Sequence, residues 1–487
     1  MPELAVKPTR RTWLTLILPI CGVIAVGCAV HEPGFDEPLE IPAAFLDEGE
    51  VGAGTVAAPD RWWMTFDDAT LNALQTEALG GNFDLAVFRD RLDAARSIVT
   101  RDRSVLFPRV DYDLFAQQTR RKSNDFAGED QFGAGIVGTY EVDLWKRNAN
   151  FAESAELNEQ IAQERLKAAA IALSANVALT WYALVEQRGQ AAILKEQILT
   201  NEKVLHVVRV RFGGGAVRAS DVLRQERLLE STREQRAVVR AQIEVLEHAL
   251  LVLTGRSPTE RLDAPRNMLP SAPPRPALGL PSELVQRRPD VRSAFMGIQD
   301  ADARIAIAVA DRYPSVQLRI DAVTVETSIA DLFDDWFSVI GVDVIGPLFD
   351  ADRRSAEVDR TAAVKRERIN VYAQTILLSF RQVLDAISRE RAREEQIARI
   401  ERQLDLAART SERLNREYLN GDISYIDVLE ALTTEQQLQR DLLSTRFQRI
   451  SDRITLYEAL AGGWDGIVPD EYAVRDTSDR DADRAAP

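Results

Sequence analysis

Two segments of this 487-residue chain are variations on one theme. Phe212-Gly-Gly-Gly-Ala-Val-Arg-Ala-Ser-Asp-Val-Leu223 and Tyr418-Leu-Asn-Gly-Asp-Ile-Ser-Tyr-Ile-Asp-Val-Leu429 each open on an aromatic residue, break at glycine and restart with Asp-Val-Leu. Asp221 and Asp427 stand 206 positions apart, and the same offset relates Phe107-Pro108 to Tyr313-Pro314 and Val110 to Val316. A tandem duplication of this length restricts the fold to two like halves, each burying its apolar faces on the other half or on further copies.

Within each half the hydrophobic period changes. Asp67-Asp68 offers carboxylates to a helix start, Leu71, Leu74, Ala78, Leu85, Leu92 and Ala95 recur at helical spacing, and Phe107-Pro108 stops the run. Val110, Tyr112, Leu114 and Ala116 then alternate with Arg109, Asp111, Asp113 and Gln117. After a polar loop, Phe132, Ala134, Ile136, Tyr140, Val142 and Leu144 alternate with Gly133, Gly135, Thr139, Glu141 and Asp143. A period of two predicts strands at about 109–118 and 132–145, joined as a hairpin. The second half repeats this at about 315–326 (Val316, Leu318, Ile320 and Ala322 against Gln317, Arg319 and Asp321) and about 336–348 (Trp336, Ile340, Val342, Val344 and Leu348). Such strands suit a half-buried soluble sheet or the wall of a membrane barrel, being long enough to cross a bilayer at a tilt. Four strands cannot close a barrel and lipid does not tolerate open edges, so the membrane alternative requires more than one chain.

Each hairpin leads into a long helical run. Lys146 to Arg211 contains no proline, and Asp350 to Glu417 neither proline nor glycine. The first run predicts a helix of about 99 Å. Leu194, Ile198, Leu205, Val208 and Phe212 form a seam of 3- and 4-residue steps, as do Val239, Ile243, Leu246, Leu250 and Leu253, and later Phe447, Ile450, Ile454, Tyr457 and Ala461. Trp181-Tyr182 beside Leu179 and Leu184 makes the first helix apolar on more than one face, so it must pack against several neighbours.

The ends and the centre punctuate this plan. Lys7, Arg10 and Arg11 precede an apolar run, Trp13 to Val26, too short to span a bilayer comfortably, which ends in Ala25-Val26-Gly27-Cys28. Residues 1–27 read as a signal peptide, and small residues before Cys28 resemble the lipobox of bacterial lipoproteins, with Ala25 where that motif most often has Leu. An acylated Cys28 would anchor the chain to a membrane. Residues 28–60 read as a tether, 61–255 and 282–463 as the two repeats, 256–281 as a Pro-rich linker and 464–487 as an acidic, disordered tail.

A formal net charge of −16 argues against a nucleic-acid partner. His31, His206 and His248 share no ligand spacing, and two cysteines, one in the leader, leave little for a metal site. Gly213-Gly214-Gly215 lies between helices rather than after a strand, so it is no phosphate cradle. With no nucleophile–base pairing, an enzyme and a cofactor are not expected.

Taken together, Trp62-Trp63, Leu280-Pro-Ser-Glu-Leu-Val-Gln-Arg-Arg-Pro-Asp290, Gly346-Pro-Leu-Phe-Asp350, Leu460-Ala-Gly-Gly-Trp464 and the duplicated Asp-Val-Leu turns resemble the outer-membrane factor (TolC-like) family, in its NodT-type efflux lipoprotein branch. The resemblance implies a mainly α fold with membrane β: a homotrimer whose three chains give four strands each to a 12-stranded β-barrel, continued by a periplasmic α-helical barrel. It implies a passive duct in the outer membrane that meets a periplasmic adaptor and an inner-membrane efflux transporter. The turns at about 212–219 and 418–425, with Gly213, Gly214, Gly215, Asn420 and Gly421, would be the adaptor-docking tip. Ile426 and Glu430 match the family's constricting apolar and acidic rings, with Asp427 beside them, while Thr433 departs from the Arg that related channels can carry. Where the second turn has Ile426, Glu430 and Thr433, the first has Ser220, Arg224 and Arg227, so the second turn is expected to carry the constriction and the first to supply a basic neighbour for it. If the even-numbered strand residues face lipid, Asp111, Asp113, Glu141, Asp143, Asp321 and Asp343 line the lumen, opposed only by Arg109 and Arg319. The competing expectation is a lipid-anchored periplasmic coiled-coil adaptor or scaffold without a pore.

Overall fold

The structure, a computed structural model, describes residues 31, 34, 38–42, 44–45, 59–120, 128–262 and 268–460. The leader, Cys28, most of the 28–60 tether and the acidic 464–487 tail lie outside the described residues. The helices are α1 (Ala69–Gly81), α2 (Phe83–Arg103), α3 (Arg147–Gly213), α4 (Ala219–Leu253), α5 (Pro281–Arg287), α6 (Pro289–Ala310), α7 (Arg353–Asn420) and α8 (Tyr425–Ala459). The strands are β1 (Arg109–Arg120), β2 (Gly128–Val142), β3 (Ser315–Glu326) and β4 (Phe337–Ile345). The chain divides into two units, one of residues 1–39, 91–163 and 293–373, the other of 40–90, 164–292 and 374–487. Helices α3 and α7 begin in the first and end in the second.

The first unit holds one antiparallel sheet in the order β1-β2-β3-β4, so β1 and β4 are its edges. Its register puts Tyr112 opposite Ile136, Ile136 opposite Ala322, Gly138 opposite Ile320, and Ile320 opposite Ile340. Every even-numbered strand residue therefore shares one face. Strand β2 ends at Val142 rather than near 145, because Asp143 turns to cap α3, accepting from the backbone N–H of Asn148 at 3.2 Å and of Ala149 at 2.8 Å. Strand β4 stops at Ile345, before Gly346-Pro347. A Cβ on Gly346 would lie 2.9 Å from the Pro314 ring, which accounts for the glycine in Gly346-Pro-Leu-Phe-Asp350. Trp145 stacks on Tyr313 with ring centroids 4.7 Å apart and donates its indole N–H to the Pro314 carbonyl.

The second unit is built on aromatic packing and buried amides. Asp68 caps α1 through the N–H groups of Thr70 and Leu71, and its other oxygen accepts from the Trp181 indole at 2.9 Å. Trp62 stacks on Tyr457 at 5.4 Å, and Phe66 meets Tyr182 at 5.3 Å. Helix α3 contains an 18-residue window apolar enough to cross a membrane, but 61% of that window is buried. The surplus apolar surface is core.

The apolar run from Leu71 to Ala95 is broken at Asn82, whose side chain accepts from Leu85 N–H and donates to the Leu253 carbonyl at the end of α4. Backbones meet closely there. Gly255 has φ +76°, and a Cβ on it would sit 2.0 Å from the Gly81 carbonyl oxygen.

Further along, α3, α4 and α8 are stitched by polar groups. Gln197 donates to the Gln436 carbonyl at 2.9 Å, Gln436 donates to Asn201 Oδ1 at 3.0 Å, Asn201 donates to Thr232 at 3.1 Å, and Gln190 donates to the Arg440 carbonyl at 3.0 Å. Buried amides in a helical seam fix axial register, since a one-residue slip leaves each unpaired.

The segment Leu280 to Asp290 has a structural meaning. Pro281 opens α5, Glu283 caps it through Leu280 N–H, and Leu284 packs with Val383, Ile387 and Leu456. Arg288 is clasped by Asp290 at 2.8 and 2.9 Å and donates to the Ala459 carbonyl at the end of α8. The linker before it is pinned by a buried cluster: Glu390 accepts from Arg453 and, at 3.2 Å, from Arg275, while Arg453 also donates to the Pro273 carbonyl.

Candidate functional site

The two glycine turns belong to the second unit and are made by the same bonds. At the end of α3, Gly215 N–H reaches the Phe212 carbonyl and Ala216 N–H the Arg211 carbonyl, both at 2.9 Å. At the end of α7, Gly421 N–H reaches Tyr418 and Asp422 N–H reaches Glu417, both at 3.0 Å. This pair of bonds is the Schellman C-cap, whose pivot residue takes a left-handed backbone. The pivots are Gly215 at φ +73° and Gly421 at φ +91°, again 206 positions apart. Of the five turn residues singled out by sequence, only these two have that backbone: Gly213 ends α3, Gly214 follows it, and Asn420 ends α7.

The restart is duplicated too. Asp221 accepts from Arg218 N–H at 3.2 Å, and Asp427 accepts from Ser424 N–H at 3.2 Å and from Ser424 Oγ at 2.7 Å. The repeated Asp-Val-Leu is thus explained locally: the aspartate caps the returning helix, and the valine packs inward. Val428 joins Val208, Tyr418 and Tyr425 in one buried cluster, with Val222 packed against it.

Contacts between the turns show which base stands beside the second one within a single chain. Arg224 pairs at 3.0 Å with Asp221 on its own helix, and Arg227 is exposed. The base that reaches the second turn is Arg211. Its guanidinium lies 4.5 Å from the Tyr418 ring centre and donates to the Tyr418 and Leu419 carbonyls at 3.0 and 3.4 Å. It fills the place that helix-terminal carbonyls leave open for a cation. The Tyr418 and Tyr425 rings lie 5.6 Å apart, and Tyr425 donates its hydroxyl to Gln225, which donates to the Asn201 carbonyl at 2.9 Å. Burial pushes the Tyr425 phenol up, so it stays a neutral donor. Ile426 and Glu430 are both exposed in the single chain, and Thr433 turns its hydroxyl back to the Leu429 and Glu430 carbonyls.

In the first unit the sheet presents two unlike faces. Val110, Tyr112, Leu114, Ile136, Ile320, Ile340, Val342 and Val344 share the even face and are exposed, Tyr112 at 81% and Ile340 at 80%. The odd face is banded by charge. Glu141, Gln317 and Asp343 form one row, Arg109, Thr139 and Arg319 the next, and Asp111, Val137 and Asp321 the third. The two arginines pair along their strands, Arg109 with Asp111 at 2.6 Å and Arg319 with Asp321 at 2.7 Å. Asp113 shares this face, opposite Gly135. Asp143 does not belong to it, being spent on the α3 cap. Nor is the face uniformly polar: the Phe115 ring lies over Gly133, where a Cβ would stand 2.2 Å from it.

Residues 74–256 and 280–462 each match the family described as outer membrane efflux protein. The chain is 25% identical over 463 residues to the cation efflux system protein CusC of Escherichia coli O6:H1, covering 92% of this chain and 98% of that protein. It is 27% identical over 460 residues to the pyoverdine export outer membrane protein OpmQ of Pseudomonas aeruginosa, covering 91% and 96%. Among solved structures, the outer-membrane channel OprN aligns with a TM-score of 0.82 at 23% identity, covering 89% of this chain and 99% of that one, a likeness of fold. The poreless adaptor alternative does not survive these matches. The chain belongs to the outer membrane efflux protein family, within the TolC-like superfamily, and is a passive outer-membrane channel component of tripartite efflux systems.

Proposed function

We propose that three copies of this chain close one 12-stranded barrel, four strands from each, which a helical barrel continues into the periplasm. The observation that carries this reading is the sheet: one face apolar and exposed, with β1 and β4 left as edges. Open edges cannot face lipid, and further copies of the same sheet satisfy both at once. On this reading the chain is a NodT-type lipoprotein anchored through Cys28, with a signal peptide at 1–27, a tether at 28–60, repeats at 61–255 and 282–463 around the 256–281 linker, and a tail at 464–487.

The two Schellman turns form the end that meets the adaptor, and the exposed Ile426 and Glu430 narrow the duct there. Asp427 serves as the cap that aims them. The odd strand face lines the lumen; tripled, Asp111, Asp113, Glu141, Asp321 and Asp343 outweigh Arg109 and Arg319 and favour cations. The relatives carry different cargoes by name, cations for one and pyoverdine for the other, as befits a duct whose transporter selects. Planar-bilayer conductance tests the reading. Ile426→Ser with Glu430→Ala is expected to raise conductance over wild type, and no rise removes the constriction. An anion-preferring reversal potential contradicts the acidic lumen.

A further inference from the structure

Near the N-terminus, two described residues touch the helices of the first unit. His31 Nε2 lies 3.1 Å from Asp302 Oδ1 on α6, and Lys365 on α7 bonds both that same carboxylate oxygen and the Gly34 carbonyl. All three side chains are largely withdrawn from water: Asp302 is 12% exposed, Lys365 15% and His31 22%. Together with Asn150, Glu153, Phe295, Ile298 and Ala306, they line a cavity of about 350 Å³.

We propose that Asp302 and Lys365 form a receptor for the chain's own N-terminal segment, a latch that holds His31 and Gly34 against α6 and α7. The Lys365–Asp302 pair joins the two helices through their own side chains. The ammonium still has a donor to spare, which it gives to a main-chain carbonyl, and the carboxylate still accepts from an imidazole. The segment supplies both partners three residues apart, so two contacts of different kind position it together. Charge-assisted bonds withdrawn from water are worth more than exposed surface pairs, which water and salt dissipate. Three residues of chain reach at most about 11 Å, so a docked His31 keeps any acyl group on Cys28 close to these helices. The proposal deepens the lipid-anchor reading but does not require it, because the latch is made by residues 31 and 34 alone.

A nitroxide on Gly34→Cys reports the latch, since among the described residues a Cβ at Gly34 meets nothing within 4 Å. The full chain is labelled in outer-membrane vesicles with Cys21→Ser, once with Cys28 and once with Cys28→Ser. The spectrum is expected to be immobilised in both. Asp302→Asn and Lys365→Met should each shift the immobile-to-mobile ratio about tenfold or more, as expected for the loss of a charged hydrogen bond. Glu153→Gln, a charge change in the same cavity at a residue that bonds neither His31 nor Gly34, should leave it unchanged. Equal mobility in wild type and both latch variants overturns the latch. Immobilisation that vanishes with Cys28→Ser overturns it too, assigning the restraint to the lipid instead, whereas a latch that holds in Cys28→Ser stands whether or not Cys28 is acylated.

Discussion

Replacing Glu390 with alanine should be among the costliest single changes in the helices. The carboxylate is fully buried and accepts from Arg453, itself 2% exposed, and from Arg275 at 3.2 Å. Among the described residues, removing it leaves the Arg453 guanidinium in the interior with the Pro273 carbonyl as its remaining partner, its Nε already having none. An uncompensated buried charge of this kind costs about 3–5 kcal/mol, most of it desolvation rather than lost attraction. The pair itself is worth far less, so Glu390→Ala combined with Arg453→Met should recover most of the loss. The assay is the urea midpoint of detergent-solubilised protein for wild type, each single variant and the double. A single variant within about 1 kcal/mol of wild type, or a double variant no better than Glu390→Ala, refutes the reasoning.

Three further outcomes follow from particular atoms. Gly421→Ala and Gly215→Ala, both at left-handed pivots, should each cost about 1–2 kcal/mol, whereas Gly213→Ala within α3 should be neutral or gain up to about 1 kcal/mol; melting of the three variants separates them. Gly255→Ala should destabilise more than Gly421→Ala, because its Cβ would meet the Gly81 carbonyl as well as an unfavourable φ, and the same melting series checks it. Burial pushes the Glu186 carboxyl up despite bonds from Gln187 and Gln190 at 2.6 and 2.8 Å. A carboxyl with a raised folded-state pKa favours the folded chain when protonated and loses that contribution as pH rises through the folded value. Wild type should therefore lose ground to Glu186→Gln as pH rises from 4 to 8, and a gap independent of pH in paired melting curves contradicts this.

Much of this architecture is legible in the sequence because it rests on period and repetition. The parity of Val110, Tyr112, Val316 and Ile340 names the apolar face without any tertiary knowledge, since a strand alternates strictly. The offset of 206 positions likewise finds both turns and both capping aspartates. What sequence does not display is pairing across distance. Arg211 was invisible as the base of the second turn because its acceptors are main-chain carbonyls 207 and 208 residues away, exposed as acceptors only by the end of α7. Arg224 and Arg227 looked better placed by alignment, yet an aspartate three residues earlier claims the first. Asp143 kept the strand's alternation but stands where a helix begins, and capping outranks the sheet there. The amides Gln197, Asn201 and Gln436 read as ordinary polar helix residues until three helices enclose them.

The central claim, a channel completed by three copies in the outer membrane, is tested most directly by mass. Crosslinking intact cells, separating inner and outer membranes and weighing the adduct should give a species of three times the chain's mass in the outer-membrane fraction. A monomer there, or a hexamer held in the inner membrane, would contradict the account.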